Sequence, residues 1–95
     1  MTRNAFIDGS IFGLEVWGAK LDGLERRVAD MPPGRRPDLR ARLAALRRRR
    51  RMLKRQLREA AHSPGADWED ARPELEEALR EFRSLATECS GRVGV

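Results

Sequence analysis

The sequence has little of the chemistry that builds disulfides, metal sites or catalytic centres. Its 95 residues include one cysteine, Cys89, one histidine, His62, and no tyrosine. A single cysteine excludes an internal disulfide framework and a multi-cysteine zinc site, and a single histidine leaves no histidine pair for a metal or a proton relay. We therefore expect no metal, no other cofactor and no enzymatic activity.

Long apolar runs are also missing. No stretch approaches the roughly eighteen consecutive apolar residues that a membrane-spanning helix needs. The apolar stretch near the N-terminus contains Asp8 and Glu15 and lacks a small-residue cleavage site, which argues against a secretory signal. We expect a cytoplasmic protein with no membrane span, and a length of 95 residues is typical of one small domain.

Charge is plentiful but unevenly distributed along the chain, whose net charge is +5. Residues 1–34 carry four bases and five acids, residues 35–63 carry twelve bases and two acids, and residues 64–95 carry four bases and eight acids. A basic segment followed by an acidic one of similar length favours two helices that pack side by side and partly neutralise each other.

Two proline- and glycine-containing breakers, at residues 31–37 and 62–67, divide the chain into three segments. Proline fixes φ and glycine accepts a positive φ, so both breakers predict turns. The segments between them predict helices over about 5–31, 37–62 and 67–89. If Asp70 caps the third helix, Pro73 falls in its first turn, and we expect a short turn at 66–70 before the main helix. The chain is predicted to form a single helical domain over 1–90 and a flexible C-terminal tail over 91–95.

Apolar residues recur at steps of three, four or seven in all three segments, which is the repeat of coiled-coil packing. The first segment has Ile7, Leu14, Trp17, Leu21, Leu24, Val28 and Met31. The second has Leu39, Leu43, Leu46, Leu53, Leu57 and Ala60. The third has Trp68, Ala71, Leu75, Ala78, Phe82, Leu85 and Cys89. Because short loops make antiparallel neighbours, the sequence predicts an all-α protein, an antiparallel three-helix bundle or coiled coil.

One seam position of the second helix carries a charge, at Arg50. Antiparallel folding predicts that Arg50 faces Ala78 of the third helix and lies near Trp17 of the first. Its stem would then cover the indole while its guanidinium reaches Glu77 or Glu81. A polar residue at one seam position is typical of a device that fixes register, and ligand binding by Arg50 is the alternative.

The first helix carries a second apolar stripe, which a three-helix bundle does not need. This predicts a partner-binding surface that consists of Phe6, Ile11, Phe12, Val16 and Ala19. The alternative is that the N-terminal half of this helix is simply wider in the core. The stripe favours a non-catalytic interaction, adaptor or assembly protein that binds itself, as a homodimer, or another helical protein.

The run of five arginines at 47–51 supports a different function. On a helix it joins neighbouring bases to form a predicted anion- or nucleic-acid-binding surface. The residues are Arg40, Arg47, Arg48, Arg49, Arg51, Lys54, Arg55 and Arg58. The alternative hypothesis is therefore a basic protein that binds nucleic acid without sequence specificity. Two other interpretations fit the same arginines. In one, they form a solvated face that neutralises the acidic third helix. In the other, they bind an anionic membrane surface.

Overall fold

The structure, a computed structural model, describes residues 1–94 as three α-helices joined by short turns. Helix α1 spans Arg3–Ala29, α2 spans Arg36–Ala61 and α3 spans Gly65–Val93, with a 3-10 turn over Pro33–Arg35 before α2. The helices form a rod of 50 × 17 × 17 Å. Helix α2 packs along both of its neighbours, whereas α1 and α3 touch each other much less. The predicted all-α three-helix bundle is confirmed.

The ends of the first two helices follow from local chemistry. The Thr2 hydroxyl accepts a hydrogen bond of 3.1 Å from the Ala5 N–H, which satisfies one of the unpaired donors at the start of α1. Helix α2 has Pro37 in its first turn, where the missing N–H costs nothing, and Asp38 beside its positive end. Both helices therefore begin close to their predicted positions.

Helix α3 differs from the prediction at both ends. It begins at Gly65, so the turn expected at 66–70 is wrong, and Pro73 lies inside the helix. It also runs to Val93, four residues beyond the predicted end, and stops at Gly94, whose φ of 83° is left-handed. Residues 91–93, which the sequence placed in a flexible tail, are helical in the structure, and the buried Val93 side chain packs this last turn against the core. Val95 lies outside the described residues.

The core follows the predicted seams closely in α1 and α2. All six seam residues predicted for α2 are buried. In α1, five of the seven predicted residues are buried, while Trp17 and Met31 are half-buried against the core. The additional buried residue of α1 is Gly18, which hydrophobic periodicity did not select.

The seam of α3 shifts partway along the helix. Trp68, Leu75, Phe82 and Cys89 are buried as predicted, but the other core positions are taken by Leu79, Ala86 and Val93. Ala71 and Ala78 are half-buried, and Leu85 is 36% exposed. The prediction was wrong at Leu85, whereas Ala71 and Ala78 pack against the core without being fully buried. The apolar pattern of this helix fits two adjacent registers. Leu79 buries more apolar area than Ala78 could in the same place.

Candidate interaction surfaces

Arg50 of α2 packs against α1. Its Nε donates to the Leu14 carbonyl at 2.5 Å, and its Nη2 donates to the Glu15 carboxylate at 3.0 Å. The guanidinium covers Gly18, where an added Cβ would lie 2.6 Å from Nη2 and 2.8 Å from Cζ. The absence of a side chain at Gly18 therefore makes the space that Arg50 occupies.

The acid partners predicted for Arg50 were wrong. Glu81 accepts a hydrogen bond of 3.0 Å from Arg49 instead, and Glu77 pairs with Arg80 of its own helix. Trp17 packs edge-on against Phe82, with ring centroids 6.3 Å apart. The prediction overlooked a signal in the sequence: Gly18 lies on the seam of α1 between Leu14 and Leu21, at steps of four and three. A role of Arg50 in fixing register stays a prediction, and Gly18 is a neighbour of Arg50 that the prediction did not include.

Three bases of α2 meet three acids of α1 along one edge of the helix pair. We call this the ion-pair row, and its members are Arg47, Arg50 and Lys54 on α2 and Glu15, Asp22 and Glu25 on α1. Arg47 bridges Asp22 and Glu25, with both N–O distances 2.6 Å. Glu15 bridges Arg50 and Lys54.

The ion-pair row favours the charged forms of Glu15, Asp22 and Arg47. A hydrogen bond from Lys54 lowers the pKa of Glu15, and a hydrogen bond from Arg47 lowers the pKa of Asp22. Hydrogen bonds to Glu25 and Asp22 raise the pKa of Arg47. The charged forms of these three residues are therefore stabilised by their partners in the row.

The eight residues of the predicted anion-binding surface divide into two groups. Arg47, Arg49 and Lys54 form ion pairs with acids of α1 or α3. The other five are exposed, and within residues 1–94 none of them has a carboxylate within 4.0 Å. We call these five the arginine strip, which consists of Arg40, Arg48, Arg51, Arg55 and Arg58.

The five residues of the predicted partner-binding surface also divide. Phe12 is 70% exposed and Val16 is 40% exposed, and Ala19 is exposed beside them. Phe6 and Ile11 are half-buried against the core, and the Phe6 ring centroid lies 5.5 Å from that of Trp68. The first three residues form a free outer face of α1, while the last two widen the core.

A groove of about 370 Å³ separates α1 from α3 at the N-terminal end of α1. Its α1 wall contains Gly9 and Gly13, and a Cβ added at either position would meet nothing within 4 Å. Val16 lies at its rim and Trp17 lies deeper, beside Leu79 of α3. The groove is shallow because α1 and α3 are held together mainly through α2.

Two arginines, one at each end of the rod, make contacts between distant parts of the chain that the sequence did not predict. Arg3 donates to the Ser63 carbonyl at 2.7 Å and to the Ala60 carbonyl at 3.2 Å, and its guanidinium lies 5.5 Å from the centre of the Trp68 ring. At the other end, Arg35 donates to the Arg92 carbonyl at 3.0 Å. No local pattern could have found these contacts, because their partners lie more than fifty residues away along the chain.

The two candidates for catalysis or metal binding, Cys89 and His62, lie apart from each other. Cys89 is buried, and this burial raises the pKa of its thiol. His62 is exposed at the C-terminal end of α2. Within residues 1–94, no group of three or more His, Cys, Asp or Glu side chains is placed to hold a metal ion. None of the three helices combines the length and apolarity that crossing a membrane requires.

The comparisons with known proteins add no relative. No protein-family model matches the chain, and no curated protein or solved structure matches it. Function therefore has to be inferred from the two surfaces that the fold leaves uncovered, the outer face of α1 and the arginine strip of α2.

Proposed function

We propose that the protein is a non-catalytic helical interaction protein that binds a second copy of itself through the outer face of α1. The observation that carries this proposal is the 70% exposure of Phe12 in the middle of a well-packed helix, next to Val16. Burying a phenylalanine side chain contributes roughly 1.5–3 kcal/mol, so an exposed one at a self-complementary position stabilises an association.

The outer face of α1 has the pattern that a partner helix requires. Phe12, Val16, Ala19 and Gly23 follow one another at steps of four, three and four. At about 100° per residue these steps keep the four positions on one side of the helix, roughly opposite the buried seam. A straight apolar row of this kind fits another helix along its length.

A second copy of α1 fits this row in the antiparallel direction. A two-fold axis close to Val16 places Phe12 opposite Ala19 of the second copy, and Gly9 opposite Gly23. The large Phe12 ring then meets the small Ala19, two glycines meet at each end, and Val16 meets its own copy at the axis. Such an interface is isologous, so it closes at a dimer.

Charges at the edge of the row favour the same arrangement. Asp8 and Arg26 lie on one edge, both are exposed, and neither forms an ion pair within residues 1–94. In the antiparallel dimer Asp8 lies opposite Arg26 of the second copy, and the symmetry repeats the contact. A parallel arrangement would instead place these two edges on opposite sides of the contact, so Asp8 could not meet Arg26 of the second copy.

The first test is the solution mass by sedimentation equilibrium. We expect the wild-type protein to have twice the 10.8 kDa mass of the chain. Phe12→Asp should weaken the dimer about a hundredfold or more, because both copies lose a buried ring and gain a buried charge. The matched control is Met52→Asp on α2, where an apolar side chain that is 48% exposed is replaced outside the proposed interface.

A charge exchange tests the direction of packing. Asp8→Arg and Arg26→Asp should each weaken the dimer, and the double variant should restore it, because both ion pairs are re-formed with opposite polarity. A wild-type protein that stays monomeric at about 100 µM would overturn the proposal. Equal effects of Phe12→Asp and Met52→Asp would do the same, and so would a dimer that forms only with a different helical protein.

A further inference from the structure

We infer that α2 binds the phosphate backbone of double-stranded nucleic acid through its arginine strip. The strip lies outside the proposed dimer contact, and this inference does not depend on the dimer. The observation behind it is the division among the bases of α2: one group is neutralised inside the chain, while the strip is left exposed without an ion pair in residues 1–94.

The strip is continuous along one side of α2. At about 100° per residue, Arg40, Arg51 and Arg58 lie within about 20° of one another, and Arg48 and Arg55 lie within about 80° of them. At about 1.5 Å per residue the strip is roughly 27 Å long, and its members from 48 to 58 follow at intervals of about 5 Å. It therefore presents a straight row of guanidinium groups.

Contacts on the other sides of α2 explain why the strip has no partner. Arg49 turns toward α3, where it binds Glu81, and Arg47 and Lys54 turn toward α1 in the ion-pair row. The strip lies on the side away from α3, beyond the ion-pair row. The acids of α1 and α3 that pair with α2 are thus bound by bases outside the strip, and within residues 1–94 no carboxylate lies within 4.0 Å of a strip residue.

The C-terminal half of the strip borders an open depression of about 540 Å³. Its lining residues, all of them described, are Arg50, Arg51, Lys54, Arg55, Arg58, Glu59 and His62. Glu59 is the one carboxylate among them, so the depression carries a strong excess of positive charge. Guanidinium groups in such a setting bind phosphate oxygens through two parallel hydrogen bonds.

The composition of α2 favours duplex nucleic acid over a single strand or a membrane surface. The helix contains no aromatic residue, so it offers no platform on which the bases of a single strand could stack. Within α2, every residue of which is described, Met52 is the one exposed large apolar side chain, which is too little to insert into a membrane. A rigid row of arginines matches a rigid row of phosphates, as in a duplex.

Binding through such a strip is electrostatic and independent of sequence, because phosphate contacts carry no base information. Five arginines that each neutralise a phosphate should give a slope of about −4.5 in a plot of log K against log salt for duplex DNA. We expect duplexes of unrelated sequence to bind equally well at the same salt concentration.

The test measures fluorescence anisotropy of labelled duplex DNA of about 20 base pairs across a salt titration. The triple variant Arg51→Gln, Arg55→Gln, Arg58→Gln should lower affinity at least tenfold and reduce the slope by about three. The control triple is Arg42→Gln, Arg49→Gln, Arg80→Gln, which removes the same charge from arginines paired inside the chain. We expect this control to change the slope by less than about one.

Two further variants distinguish a loss of binding from a loss of folding. Replacing the same three strip residues by lysine keeps the charge and should keep the slope, and the single change Arg48→Gln should reduce it by about one. Equal losses in the two glutamine triples would overturn the inference, because net charge alone would then explain binding. A slope shallower than about −1, or stronger binding to phosphatidylserine vesicles or polyglutamate than to duplex, would also overturn it.

Discussion

Helix α2 makes two contacts of different chemical character. Its contact with α1 combines an apolar seam with the ion-pair row and with Arg50 lying on Gly18. Its contact with α3 is largely apolar, and within residues 1–94 the ion pair that crosses it is Arg49–Glu81. The other pairs of α3 join residues three or four apart on the same helix.

This difference corrects the simplest interpretation of the charge pattern. The sequence suggested that the acidic third segment neutralises the arginines of the second. Instead most of the cross-helix neutralisation comes from α1, whose acids lie at Glu15, Asp22 and Glu25 on the edge that faces α2. The net charge of a helix therefore says less about its neighbours than the face on which each charge lies.

The largest expected effect comes from breaking the apolar contact of α3. Phe82 is fully buried and packs against Trp17. Phe82→Ala should lower the free energy of unfolding by about 3–5 kcal/mol, as measured by urea denaturation, because it removes a buried ring and leaves a cavity. Leu85→Ala on the same helix is the control, and an equal loss there would contradict the observed seam.

A smaller effect should come from filling the space under Arg50. Gly18→Ala gains helix propensity of about 1 kcal/mol, but its Cβ forces the guanidinium away from Leu14 and Glu15. We expect the substitution to fail to stabilise the wild-type chain, and to stabilise the Arg50→Ala chain by about 1 kcal/mol.

Gly13→Ala is the matched control for this cycle, since a Cβ there meets nothing within 4 Å. It should stabilise both backgrounds by about 0.5–1 kcal/mol in the same denaturation measurement. If Gly18→Ala stabilised the wild-type chain as much as Gly13→Ala does, Arg50 would not occupy the space above Gly18.

Acidic pH should weaken the contact between α2 and α1 more than the contact between α2 and α3. Because the folded pKa values of Glu15 and Asp22 lie below their ordinary values of 4.5 and 3.8, the folded state binds fewer protons than the unfolded state. The stabilisation is complete above these ordinary values and is lost as pH falls through the lowered ones. We expect thermal stability to be level near neutral pH and to fall below about pH 4.5.

The double variant Glu15→Gln, Asp22→Asn should lose less thermal stability than the wild-type chain as the pH falls. Glu69→Gln, Glu74→Gln is the control, because these exposed acids of α3 form no ion pair within residues 1–94. If thermal stability fell as steeply with pH in the Glu15→Gln, Asp22→Asn variant as in the wild-type chain, other groups would cause the acid destabilisation.

The smallest effect should come from the ion pair of the α3 contact. Both side chains of Arg49–Glu81 are about half exposed, so solvent screens their attraction. Arg49→Gln should change the free energy of unfolding by less than about 0.5 kcal/mol. A loss several times larger would mean that the two contacts of α2 are more alike than their geometry indicates.

Apolar spacing predicted most of the fold, and its failures have physical causes. Leucine occupies five of the six seam positions of α2, and the residues beside these leucines are charged residues, Ala44, Ala45, Met52 and Gln56, so helical spacing could predict their burial. In α3, Ala78 and Leu79 are adjacent apolar residues, and spacing alone could not choose between them. Gly18 was missed because a hydrophobic pattern records side chains and cannot record the space left where one is absent.

The candidate surfaces could be predicted only in part. Phe12 and Val16 were recognised as surplus to the core because they fall on the face opposite Leu14 and Leu21. The division between the ion-pair row and the arginine strip could not be predicted, because it depends on which acids of α1 and α3 lie across from each base. Rotation of each helix about its own axis decides this, and a small rotation exchanges one partner for another.

The central place of α2 has a kinetic consequence. Nearly all packing joins helices that follow one another along the chain, and the turns that connect them are short. Little loop entropy has to be lost before each contact forms, so we expect folding on a microsecond to millisecond timescale. The pairing of Arg3 with Ser63 lies at the end of the α1–α2 pair that is farthest from its connecting turn, so we expect it to form late in the closure of that pair.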